Sequence, residues 1–343
     1  METSAKSDRE AEKEDPEPWL IPLNRKIDMI AADSLEGQFR KSLAKTLRDV
    51  LLRTITPAQA AAHIDTYRTA EFVTVLHSRP NRLGGVFTFR STVDRAICHI
   101  STIVNWTGDK QDLLVELLLE LRKLGGRCVK LNGKDHLIDF QNDLALTDTM
   151  DEFFYAYDPR DCHLPYLNFT AFTARCLQAG IHEVFPPFPD NAYNHFWYAQ
   201  NVLNRNLNVP NYEENNRRLT VRRRMGAALY IIFAGTTCFE HLVLNVAVRG
   251  KGKRLWPLWM KAFEDVVKGT GEAGMIMKNA TCETERDKKV LQELRSLCAD
   301  ALEKMRLLWK ALEKEEEASS YEASYGNGYR QYHDSHDRHD TVH

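Results

Sequence analysis

The chain has 343 residues, 43% hydrophobic and 27% charged, which suits an ordinary globular protein of one large or two modest domains. Its net charge of −2 gives no global pull toward nucleic acid or an anionic membrane. Seven cysteines with no C-x-x-C spacing argue against a disulfide scaffold and against a zinc ribbon.

Residues 1–18 carry seven acids against three bases and no large apolar side chain after Met1, so a disordered acidic tail is expected there. No apolar stretch follows a basic start, so a cytoplasmic or nuclear location is expected. A single helical domain is expected over 19–315. From 35 to 51, Leu35, Phe39, Leu43, Leu47 and Val50 recur at spacings of 4, 4, 4 and 3, a helical stripe. Thr56-Pro57 reads as an N-cap and first-turn proline. Phe72–Leu76 and Val86–Phe89 read either as a hairpin or as helix. Ser91-x-x-Asp94 resembles a capping box, and Asp109 reads as the cap of a Leu-rich helix that Gly125-Gly126 ends. Asp190 can start another helix, carrying Tyr193, Phe196, Trp197 and Leu203.

The stretch from about 217 to 247 is apolar nearly all round, which predicts a central helix. Glu240 and His241 interrupt it and argue against a membrane span. Trp256, Trp259, Phe263 and Val266 mark the buried side of a helix with Pro257 in its first turn. Val290, Leu294, Leu297, Ala301, Met305, Leu308 and Leu312 predict a helix of six or seven turns. Residues 316–343, rich in His, Ser, Tyr and Asp, read as a second disordered tail. The expected fold is all-α, a multi-helix bundle or an irregular array of helical hairpins.

The pattern Leu255-Trp256-Pro257-Leu258-Trp259-x-x-x-Phe263, followed by a long helix through Ala301-x-x-x-Met305-Arg306, is similar to a fungal all-helical domain family of unknown function. The resemblance covers about 40–312. It implies an all-α fold and a fungal source, and brings no reaction, cofactor or catalytic residue.

Five groups of residues carry chemistry worth placing. His195 and Trp197, with Cys238 and His241 three apart on the central helix, could line a ligand pocket; core packing is the simpler reading of the Cys–His pair. Arg217, Arg218, Arg222, Arg223 and Arg224 form one basic cluster, and Arg249, Lys251, Lys253 and Arg254 a second. Residues 201–260 hold ten bases against three acids. Such clusters suit phosphates, nucleic acid or an acidic partner, though pairing with acids such as Glu315–Glu317 is the commoner use. His333, His336, His339 and His343 offer imidazoles to a metal, with adventitious binding the simpler account. Gly269-Thr270-Gly271-Glu272-Ala273-Gly274 is a literal G-x-G-x-x-G without a preceding strand, so an interhelical loop is expected.

No P-loop, nucleophile elbow or H-E-x-x-H is present, and no cofactor is expected. The leading expectation is a non-enzymatic protein-interaction or scaffold module with a protein partner. An enzyme or small-ligand binder using the Cys238/His241 face is the alternative, and nucleic-acid binding through the arginines a third reading. No membrane association is expected.

Overall fold

A computed structural model describes residues 17–69, 72, 85–131, 133–141, 146, 149, 150, 152, 153, 163–181, 217–244, 249–271, 274 and 284–334. Among these residues the fold is all-α apart from one two-stranded sheet. The chain divides into two compact units, Met1–Ala156 and Tyr157–His343.

The first unit contains α1 (Leu20–Met29), α2 (Leu35–Leu51), α3 (Pro57–Asp65), α4 (Gly85–Ile103), α5 (Lys110–Lys123), β1 (Arg127–Leu131) and β2 (Lys134–Ile138). Helix α2 is its hub and touches α1, α3, α4 and α5. Its stripe is buried at Phe39, Leu43, Leu47 and Val50, while the first member, Leu35, faces solvent. The ring of Phe39 lies 4.8 Å from that of Phe72 and 5.3 Å from that of Phe89, an aromatic cluster joining α2 to α4. Thr56 caps α3 ahead of Pro57, as the sequence predicts, and Gln59 completes a capping box with it.

Two expectations change here, and one open reading is resolved. Ser91 and Asp94 do not start a helix: α4 already runs from Gly85, and Asp94 is buried within it against Arg90 (3.1 Å). Val86–Phe89 thus takes the helical of its two readings, residues 73–76 lie outside the described residues, and a hairpin forms elsewhere. It is formed by β1 and β2, paired from Arg127↔Ile138 to Leu131↔Lys134. The signal was Asn132-Gly133, a two-residue turn sequence between short strands; Gly133 has φ 77°, the left-handed region such turns require. Asp109 precedes α5 without a capping hydrogen bond from its side chain, which pairs with Arg53 instead.

Two buried arginines fix the hairpin. Arg68 donates to Gly125 O (2.6 Å) and Ile138 O (3.0 Å), and Arg90 donates to Asp139 O (2.9 Å). Both guanidinium groups lie within 6 Å of the Phe140 ring, at 5.7 and 5.5 Å.

The second unit contains α6 (His163–Gln178), α7 (Arg217–Phe239) with a π turn (Glu240–Leu244), α8 (Arg249–Lys268) and α9 (Glu285–Asp334). Helix α7 packs against both α6 and α9, and α9 also packs against α8. This is the central position that an apolar circumference predicts. By length and composition Thr220–Leu244 is long and apolar enough to cross a membrane, yet two thirds of its most apolar stretch is buried inside the fold. Trp256 and Trp259 are buried as expected, at 0% and 1% exposure.

Pro257 lies inside α8 rather than in its first turn, because the helix begins at Arg249; the proline removes one main-chain donor in mid-helix. Helix α9 is much longer than six or seven turns. Among the described side chains its buried seam ends at Leu312, but the backbone stays helical through Asp334. The helix expected to start at Asp190 and the acidic stretch before residue 17 lie outside the described residues.

Candidate functional site

The chemistry-bearing residues of the second unit gather along α7. The helix departs from α geometry twice. Ala234 has φ −122° and ψ 15°, a kink next to Gly235, and six residues after Ala234 the π turn begins. A lysine from α9 meets the first departure: Lys304 Nζ donates to Ile232 O at 2.8 Å. Its stem lies along Gly235, where an added Cβ would sit 3.2 Å from Lys304 Cε. Burial lowers the Lys304 pKa, and the nearby Cys238 opposes that shift. Gly252 of α8 closes over the second departure; a Cβ there would overlap the main-chain oxygen of Leu242.

Cys238 and His241, predicted to share a face, straddle the junction between α helix and π turn. Cys238 is fully buried, and burial pushes its thiol up to about 12, with Lys304 acting the other way. At neutral pH it is a protonated thiol, inert as a nucleophile or ligand. His241 is half-buried. No group of three or more His, Cys, Asp or Glu side chains among the described residues is arranged to hold a metal. His195 and Trp197 lie outside the described residues, so the proposed pocket is represented only by Cys238 and His241.

A polar seam joins α6 to α7. Tyr230 Oη donates to Thr173 Oγ1 (3.0 Å), Thr173 Oγ1 donates to Thr170 O (2.9 Å), and Thr170 Oγ1 donates to Tyr166 O (2.7 Å). Arg175 stacks over Phe233 at 3.6 Å. Burial raises the Tyr230 phenol well above its ordinary range, so it remains a neutral donor.

The basic residues do not form one surface. Arg224 turns inward at 3% exposure, where Cys298 and Asp265 favour its charge against the cost of burial, and it cannot reach an external phosphate. Arg222 and Arg223 are half-buried, and Arg217 and Arg218 lie on the first turn of α7. Lys251, Lys253 and Arg254 lie near the start of α8, beyond the opposite end of α7. At 1.5 Å per residue, Arg222 and His241 are roughly 28 Å apart along that axis. Lys253 pairs with Glu316, one of the acids the sequence offered as its partner. His333 falls at the end of α9, and His336, His339 and His343 lie outside the described residues.

The glycine motif is a helix terminus. Gly269 (φ 65°) follows α8; its N–H donates to Val266 O (3.3 Å) and that of Thr270 to Asp265 O (2.9 Å), the two bonds of a Schellman cap. Thr270 Oγ1 donates to Asp265 Oδ1 (3.1 Å). A helix and not a strand precedes the glycines, so they form no dinucleotide turn; the break between helices is shorter than the loop expected, since Gly269 and Thr270 end α8 while Gly271 and Gly274 are already helical.

Sequence reasoning missed Lys304. It is one of many lysines on an exposed-looking stripe, and only the fold brings it to a residue 72 positions away.

These features define a helical protein organised in its second unit around a kinked central helix. The chain belongs to the family described as a protein of unknown function (DUF3632), which it matches over residues 95–273. That span begins within α4 and ends five residues past α8. No curated protein and no solved structure matches the chain.

Proposed function

We propose that this protein is a non-enzymatic helical interaction module of the cytosol or nucleus. The observation that carries this reading is the far half of α9. Leu312 is the last buried side chain among those described; Glu313–Ala318 are exposed, and the backbone stays helical to Asp334. That is roughly 30 Å of helix beyond the apolar seam. Residues 313–334 contain no Leu, Ile, Val, Met, Phe or Trp. An exposed helical extension is marginal in water, and the stretch also carries Tyr321, Tyr325, Tyr329 and Tyr332 at spacings of 4, 4 and 3, so a partner surface is its natural complement. The core supports the same reading: the thiols of Cys238 and Cys298, both pushed up to about 12, and the neutral Tyr230 are in unreactive states.

The test compares the full chain with a version ending at residue 318. Each is used for cross-linked capture from the source cells, and any partner found is purified and titrated against both. Direct binding by the full chain and loss of it by a shortened chain with an unchanged melting curve supports the reading. Equal binding by both chains overturns it. The arginine-based alternative is checked in the same preparation by mobility shift across a salt series, where unchanged affinity for Arg222→Ala with Arg223→Ala removes nucleic acid as the partner.

A further inference from the structure

Beyond that reading, we infer that Lys304 is a charge-operated latch that holds the kink of α7 and so sets the direction of its π turn. Four observations converge on this side chain. Ala234 leaves helical geometry two residues after Ile232, disturbing the ladder in which the Ile232 carbonyl takes part. Lys304 Nζ reaches that carbonyl from another helix, at 2.8 Å, and supplies a charged donor there. Gly235, next to the kink, presents no side chain, and the lysine stem occupies the space a Cβ would narrow to 3.2 Å. The groups facing the ammonium are a carbonyl oxygen and the buried Cys238, whose thiol is protonated. Among the described residues no salt bridge joins Lys304 to a carboxylate, so its charge is directed at the helix backbone.

A kink maintained by an inserted donor differs from one maintained by proline: it closes when the donor leaves. Helix α7 has no proline. Downstream of the kink, the π turn carries exposed Glu240 and half-buried His241 and passes under Gly252. Straightening at Ala234 re-aims this segment. Lys304 is itself half-buried, so a change to its charge can be made from solvent.

The experiment is hydrogen–deuterium exchange with mass spectrometry on the full chain and three variants. Lys304→Met keeps the stem and removes the charged donor; Lys304→Arg keeps a charged donor. Gly235→Ala leaves the lysine intact and crowds its stem. For Lys304→Met we expect amide exchange between 234 and 244 about tenfold faster than wild type, the scale of one lost charge-assisted hydrogen bond, and for Gly235→Ala, which displaces the stem by a few tenths of an ångström, a smaller rise confined to the same segment. Peptides from α5 stay unchanged, and Lys304→Arg lies nearer wild type. If Lys304→Met does not fold, Gly235→Ala carries the test alone. Wild-type exchange over 234–244 in a folded Lys304→Met or Gly235→Ala, or a uniform increase along all of α7 and α9, overturns the latch.

Discussion

Arg68 and Ile138 are 70 residues apart in sequence and joined by a buried hydrogen bond from the guanidinium to the carbonyl oxygen, 3.0 Å long. The same guanidinium holds Gly125 O and pairs with Asp65. One side chain thus fastens the hairpin to the end of α3. Arg68→Met keeps much of the bulk and orphans two main-chain acceptors. The expected loss is about 3 kcal/mol, since each buried unsatisfied acceptor costs 1–3 kcal/mol. Urea unfolding of the full chain, followed by circular dichroism, measures it. A midpoint equal to wild type contradicts this role.

Trp256 and Trp259 share a helix and a core, but only one uses its indole nitrogen. Trp256 Nε1 donates to Met305 O at 3.3 Å; Trp259 Nε1 is buried and makes no hydrogen bond. Replacing either by Ala should cost about 3–5 kcal/mol through lost packing. Replacement by Phe separates them. Trp256→Phe orphans the Met305 carbonyl, whereas Trp259→Phe removes a donor that was already unsatisfied, so the second should be the better tolerated. Paired thermal melts decide the order.

His99 makes the first unit acid-sensitive. Burial, and then the charge of Lys26, lower its pKa from 6.5 to about 4. Between those values the unfolded chain takes up a proton that the folded chain refuses. Stability is therefore complete above pH 6.5 and declines as the pH falls toward 4. His99→Gln should flatten that part of the profile. Urea midpoints at about pH 7.5 and about pH 5 test it; an equal slope in the variant assigns the effect to another group.

Of the five cysteines whose surroundings are described, Cys128 is exposed and Cys98, Cys176, Cys238 and Cys298 are buried. Under native conditions iodoacetamide should label Cys128 rapidly, and those four only after denaturant is added. Peptide mapping reads the sites directly. Early labelling of Cys238 would contradict its place in the α7 core.

What the sequence revealed follows from where the controlling forces act. The amphipathic stripes of α2 and α5 and the all-round apolarity of α7 are local patterns, and they predict burial well at Phe39, Leu47, Leu117 and Leu229. Helix α6 was not anticipated. Its apolar residues run through Thr170 and Thr173, which satisfy themselves on main-chain carbonyls and blur any 3.6-residue period. The start of α4 was misplaced because Asp94, which looks like a capping residue, is instead buried with Arg90 four residues earlier. The site was less legible than the fold. Cys238 and His241 were singled out on spacing, but the kink between Ile232 and Gly235 has its partner on α9, and no local pattern encodes Lys304.

The π turn at Glu240–Leu244 has a simple arithmetic consequence. It accommodates one residue more than an α-helical path of the same rise, so deleting a single residue there would let α7 continue as an ordinary helix. The turns after it would keep their facing, because the residue lost is the one the π turn absorbs; the same deletion in the α-helical run before Phe239 would instead rotate everything downstream by about 100°, the angle between successive helical residues. In that second case Leu242 would leave its place beneath Gly252. Loss of one codon is thus best borne at the π turn and worst a few residues before it.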